Sequence, residues 1–132
     1  MDRSVMKAVF KSTGGKDPVK DSTVNFSTGE TIFSQGDLGT DMFIIQEGVV
    51  EIIKHLRGET HLLSTLEKGD FFGEMAVLDD CPRSADAIAK TEVKVLLING
   101  ARFDEMLRKN PEVAVRIIRK YSKRLREANT LL

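Results

Sequence analysis

Phe72-Gly73-Glu74-Met75-Ala76-Val77, followed after five residues by Arg83-Ser84-Ala85, sets a glycine, a carboxylate and a guanidinium around one short loop with few bulky side chains. Backbone N–H groups exposed in a tight turn form a concavity that holds anions. Arginine adds a permanent charge and a planar fork of donors suited to phosphate oxygens. A carboxylate would repel phosphate, so Glu74 makes sense as an acceptor for another group on the ligand, and a sugar hydroxyl fits. The stretch therefore predicts a site for a small anion that carries hydroxyl groups. Gly73, Glu74 and Ala76 are expected to offer backbone N–H groups, and small side chains there let the anion come close. Met75 to Leu78 reads as one helical turn aiming its N-terminus at the anion.

A second stretch lies upstream: Ile32-Phe33-Ser34-Gln35-Gly36-Asp37-Leu38-Gly39, then Asp41-Met42-Phe43-Ile44-Ile45-Gln46-Glu47-Gly48. It reads as a strand, a glycine-containing turn, an apolar strand and a closing glycine. From Thr23 to Ile98 the whole text has this character. Val24–Phe26 and Thr31–Phe33 flank Thr28-Gly29, Arg57-Gly58-Glu59 marks a hairpin tip, and Ala85–Ala89 and Glu92–Ile98 complete the set. Many short strands at regular spacing predict a sandwich or barrel of jelly-roll type. Beyond Asn99 the apolar period changes. Phe103, Met106 and Leu107 predict a helix that Asn110-Pro111 interrupts, with Pro111 at the first position of the next one. Along that last helix Ala114, Ile118, Tyr121, Leu125, Ala128 and Leu132 form a stripe of the kind seen in coiled-coil seams. Such a stripe serves either a homodimer or packing on the chain's own domain. Val113, Val115 and Ile117 supply further apolar surface.

Together these two motifs resemble the hallmarks of the cyclic nucleotide-binding domain, the module shared by catabolite-activator-type regulators, protein kinase A regulatory subunits and cyclic-nucleotide-gated channels. The resemblance implies a mainly β fold, a double-stranded β-helix (a jelly-roll-type β-roll) followed by C-terminal helices. It implies an N-terminal helix or linker over 1–22, a β-roll over 23–99 with a phosphate-binding cassette at 71–86, and C-terminal helices over 100–132. It implies a ligand site of Phe72, Gly73, Glu74, Met75, Ala76, Arg83, Ser84 and Ala85, with Glu74 on the ribose 2′-hydroxyl and Arg83 on the cyclic phosphate. In the family, Ser after the arginine accompanies cAMP binding in catabolite-activator-like members, so Ser84 tilts the expected ligand toward cAMP, with cGMP the alternative. Asn129 lies where such proteins place a polar residue that reaches the purine, and an amide can pair with adenine N6 and N7. A plain helix-surface asparagine accounts for it equally. Asp86 departs from the family pattern, because a carboxylate turned into the pocket would repel the phosphate; a bulge or the end of the loop has to turn it outward.

Composition narrows the partners. The 132 residues carry 20 Lys/Arg and 20 Asp/Glu, so no global charge points to nucleic acid or a membrane surface. Residues 100–132 nevertheless hold nine Lys/Arg against four Asp/Glu. That surplus is either a solvated helix face or a docking surface for an acidic partner or downstream domain. A single cysteine, Cys81, excludes an internal disulfide and iron–sulfur ligation, and it suits a reducing compartment. No apolar run approaches the roughly 20 residues of a membrane span, and residues 1–22 lack a secretory core of adequate length. A cytoplasmic protein is expected. His55 and His61 near the hairpin do not make the histidine cluster of a metal-dependent barrel enzyme, and no nucleophile–base pair or phosphate-cradling P-loop occurs, so an enzyme is not expected. The expected role is a cyclic nucleotide sensor whose C-terminal helices move on binding. Two alternatives stand beside it. One is a truncated DNA-binding regulator of catabolite-activator type, since no helix-turn-helix follows the last helix. The other is a scaffold module with a degenerate pocket.

Overall fold

A computed structural model describes residues 22–130 of the chain. The helix or linker expected over 1–22 lies outside the described residues except for Ser22, which opens the first strand, and so does Leu132 of the apolar stripe. The described residues form eight strands: β1 (Ser22–Phe26), β2 (Thr31–Phe33), β3 (Met42–Glu47), β4 (Val50–Leu56), β5 (Glu59–Leu66), β6 (Phe71–Phe72), β7 (Asp86–Ala89) and β8 (Val93–Ile98). A short helix α1 (Glu74–Asp79) sits between β6 and β7, and α2 (Gly100–Lys109) and α3 (Pro111–Thr130) follow β8. The strands form two four-stranded sheets, ordered β1-β8-β3-β6 and β2-β7-β4-β5, with every pairing antiparallel. This is the mainly β roll with C-terminal helices that the sequence predicts.

Alternation of side chains explains the core. β7 buries Ala87 and Ala89 and turns Asp86 and Ile88 away; β8 buries Val93, Val95 and Leu97. Phe26, Phe33, Phe43, Ile45, Val50 and Phe72 join them in one cluster, with Ile52 and Leu66 packed at its margin. Each large side chain fully buried there contributes about 1.5–3 kcal/mol relative to exposure. At the β4–β5 hairpin the chain turns through Arg57 and Gly58, both at positive φ (53° and 78°). That is the two-residue turn whose twist matches the flanking strands.

The chain divides between Gly100 and Ala101 into two compact units. In the second, Asn110 ends α2 with its N–H on the Met106 carbonyl (2.8 Å), and Pro111 opens α3, where a missing N–H costs nothing. Phe103 and Ile117 are buried; Ile118 and Leu125 of the stripe are each 66% exposed, and Val115 is exposed as well. No helix among the described residues is long and apolar enough to cross a membrane.

Candidate functional site

Arg83 is the centre of the candidate site, and it is 6% exposed. Its guanidinium donates one hydrogen bond to the Gly73 carbonyl (3.0 Å) and another to the Asp41 carbonyl (2.8 Å). The Cζ atom lies 4.4 Å from the centre of the Phe33 ring and 5.6 Å from that of Phe43, so the cation rests on aromatic faces. Its Nε is buried without a hydrogen-bond partner among the described residues. Burial pulls the pKa of Arg83 down, while the charges of Asp41, Asp37 and Glu74 support the cation; a guanidinium stays protonated in any such setting. The same burial pushes the carboxyl of Asp41 up, against the pull of Arg83.

The two sequence motifs form one structure. The turn after β2 grips the backbone of Arg83 from both sides: the Gly36 N–H donates to the Arg83 carbonyl and the Arg83 N–H donates to the Asp37 carbonyl, each at 2.8 Å. Within that turn the Ser34 N–H donates to Asp37 Oδ2 (3.0 Å), a local closure typical of aspartate in turns. Phe33 and Phe43, from β2 and β3, supply the aromatic floor. Phe43 and Phe72 stack at 5.0 Å between centroids, and Phe33 lies 5.9 Å from Phe72.

Gly73 caps α1 at φ 78°, with no side-chain cap on the helix. The opening turn thus presents N–H groups that the helix's own carbonyls do not reach. A Cβ on Gly73 would stand 2.9 Å from Arg83 Nη1. Glu74 and Ala76 are buried; Met75 is exposed, as is Leu78. Phe72 is buried in the aromatic cluster, which leaves its backbone rather than its ring near the loop. Ala85 is buried and Ser84 is exposed, the Ser84 carbonyl accepting from Lys54 Nζ. Asn129 is exposed on α3 in the other unit.

Asp86, the residue that departs from the family pattern, faces outward. Its Oδ1 accepts the Gln35 N–H and its Oδ2 lies against His55 Nε2, both at 2.6 Å. Gln35 in turn exchanges two hydrogen bonds with the backbone of His55. The carboxylate therefore fastens the turn after β2 to β4 and β7. Cys81 is exposed, and its hydrogen bond to Asp79 with the charges of Asp79 and Asp80 pushes the thiol up, away from a nucleophilic thiolate.

Gly39, Asp41, Phe33 and Phe43 belong to the arginine's surroundings, yet their sequence pattern marks them only as turn and strand. The signal for Gly39 is steric. A Cβ there would fall within 2.5 Å of Arg83 Nη2 and 2.9 Å of Cζ, and no positive φ contributes. Gly39→Ala should lower stability by about 1–3 kcal/mol, the usual cost of overpacking. In an Arg83→Ala background the same change should cost almost nothing, because the colliding group is gone. Thermal unfolding of the four proteins tests this; equal costs in both backgrounds would show that Gly39 does not make room for the guanidinium.

Comparison with known proteins gives an independent view of the same residues. The family model described as the cyclic nucleotide-binding domain matches residues 23–110. The Cyclic AMP receptor protein of Thermus thermophilus is 35% identical over 105 residues, which are 79% of this chain and 49% of that protein. A cAMP-dependent protein kinase regulatory subunit of Pyricularia oryzae is 36% identical over 85 residues, 64% of this chain and 21% of that one. The crystal structure of Thermus thermophilus catabolite activator protein matches with a TM-score of 0.75 at 31% identity, covering 96% of this chain and 55% of the other. The chain thus spans about half the length, or less, of the relatives it matches.

Proposed function

The chain belongs to the cyclic nucleotide-binding domain family, and from that premise we propose that it is a sensor domain that binds cAMP in preference to cGMP. One observation carries the reading: a buried guanidinium, stacked on Phe33, lies beside a glycine-capped helical turn whose first N–H groups have no side-chain cap. Arg83 takes the charge of the cyclic phosphate. The backbone of Gly73 to Ala76 and the hydroxyl of Ser84 donate to its oxygens, and Phe72, Met75 and Ala85 frame the loop. Glu74 accepts from the ribose 2′-hydroxyl. Names of relatives that refer to cAMP support the preference for adenine, and Asn129 is proposed as the amide that reaches the purine.

Residues 71–86 serve as the cassette of a β-roll over 23–99, and residues 100–132 serve as the responding helices. Ligand capture is coupled to movement of those helices, which requires the ligand to favour one arrangement by its own differential contacts. The stripe of Ala114, Ile118, Tyr121, Leu125, Ala128 and Leu132, in which Ile118 and Leu125 are exposed, supports a homodimer seam. An allosteric binding module of the cytoplasm, not an enzyme, is the reading.

Thermal-shift measurements with cAMP, cGMP and cyclic dinucleotides test the ligand class. Stabilisation by cAMP beyond cGMP is expected, and no shift with any of them would favour a scaffold module instead. The sugar assignment has its own test. Glu74→Gln should lose about 1–2 kcal/mol of cAMP affinity, since the acceptor loses its charge. Against 2′-deoxy-cAMP that deficit should vanish; a deficit of the same size for both ligands would detach Glu74 from the 2′-hydroxyl.

A further inference from the structure

β4 runs beside β7 with Val50 opposite Ala89 and Ile52 opposite Ala87. Alternation therefore sets Val50, Ile52 and Lys54 on one face of β4. Beside them, on the segment that leads into and forms β7, stand Arg83, Ala85, Ala87 and Ala89. That face is the interior: Val50, Ala85, Ala87, Ala89 and Arg83 are all buried, and Ile52 packs on the core. The irregularity in the β4–β5 pairing leaves Leu63 of β5 as the extra residue, Ile52 pairing with Ser64 and Ile53 with Leu62, so β4 keeps its alternation. The outer face is fixed separately by His55, which reaches Asp86, the partner of Ile53.

Lys54 consequently stands on the inward face, where the apolar run of β4 stops, at the end of the sheet near Arg83. It is half-buried, and its ammonium donates to the Ser84 carbonyl at 2.9 Å. No ion-pair partner for it occurs among the described residues. An ammonium has three donors, and this one reaches the residue that follows Arg83. We propose that Lys54 is a second cationic contact for the phosphate of the nucleotide, adding its charge to that of Arg83. The inference rests on the cyclic nucleotide reading. Its rival is a lysine that merely caps a carbonyl while its stem covers the sheet.

Isothermal titration of cAMP into the full chain, at low and high salt, separates these. Lys54→Met should weaken binding roughly three- to tenfold at low salt, and the loss should shrink as salt screens the charge. Lys54→Arg should restore most of the affinity. Lys54→Gln keeps a donor for the Ser84 carbonyl without the charge, so it should bind as weakly as the methionine variant. Wild-type affinity in either Lys54→Met or Lys54→Gln would overturn the proposal. Failure of the unaltered protein to bind any cyclic nucleotide would instead remove the reading beneath it, and this inference with it.

Discussion

Arg83→Ala is expected to weaken cAMP binding by about 2–5 kcal/mol, roughly thirtyfold to several thousandfold, as read by isothermal titration. The size follows from burial. At 6% exposure the guanidinium faces little competing water, so its attraction for a phosphate is screened far less than that of a surface pair. Truncation also leaves the carbonyls of Gly73 and Asp41 without their donors, and each unsatisfied group costs about 1–3 kcal/mol if water does not enter. Part of the lost affinity would then come from a loosened loop. Arg83→Lys distinguishes the two contributions. It keeps the charge, but a point cation cannot span two carbonyls as a planar fork does, so an intermediate affinity is expected. An alanine variant that folds and binds cAMP as the unaltered protein does would overturn the assignment of Arg83.

The sequence singles out candidate residues for this site, whereas the way they meet is not legible in it. Gly73, Glu74 and Arg83 announce anion chemistry by type and order. The strands around them follow from alternation, and the tip at Arg57-Gly58 and the break at Asn110-Pro111 follow from local backbone preferences. The two hydrogen bonds between the 34–37 turn and Arg83 link residues more than forty positions apart, and no local period encodes such a pairing. Asp86 shows the same limit: its residue type alone suggests repulsion, and only the positions of Gln35 and His55 explain it. Phe72 falls in a strand of two residues, too short for alternation to say which way its ring points. Gly39 gives no conformational signal either, because its need is for space beside a distant side chain rather than for an unusual φ.

Gly48→Ala is expected to produce the largest loss of stability, about 3–5 kcal/mol, seen as a fall of roughly 10 °C or more in thermal midpoint. Two separate costs combine there. Gly48 joins β3 to β4 at φ 94°, where an L side chain is strained by about 1–2 kcal/mol. Its missing Cβ would also collide with the Glu92 carbonyl and touch Thr91 Oγ1 at 3.0 Å. The obstacle is backbone in a turn that is itself fastened, since Thr91 Oγ1 accepts the Val49 N–H and the Lys90 N–H donates to the Val49 carbonyl. Relief would therefore mean separating the β3–β4 connection from the turn before β8. Gly58→Ala supplies the control, because φ is 78° there and a Cβ meets nothing within 4 Å. It should cost only the backbone strain. Equal midpoints for the two variants would mean that the turns at Gly48 and Glu92 yield freely, and that close packing between them does not hold the roll together.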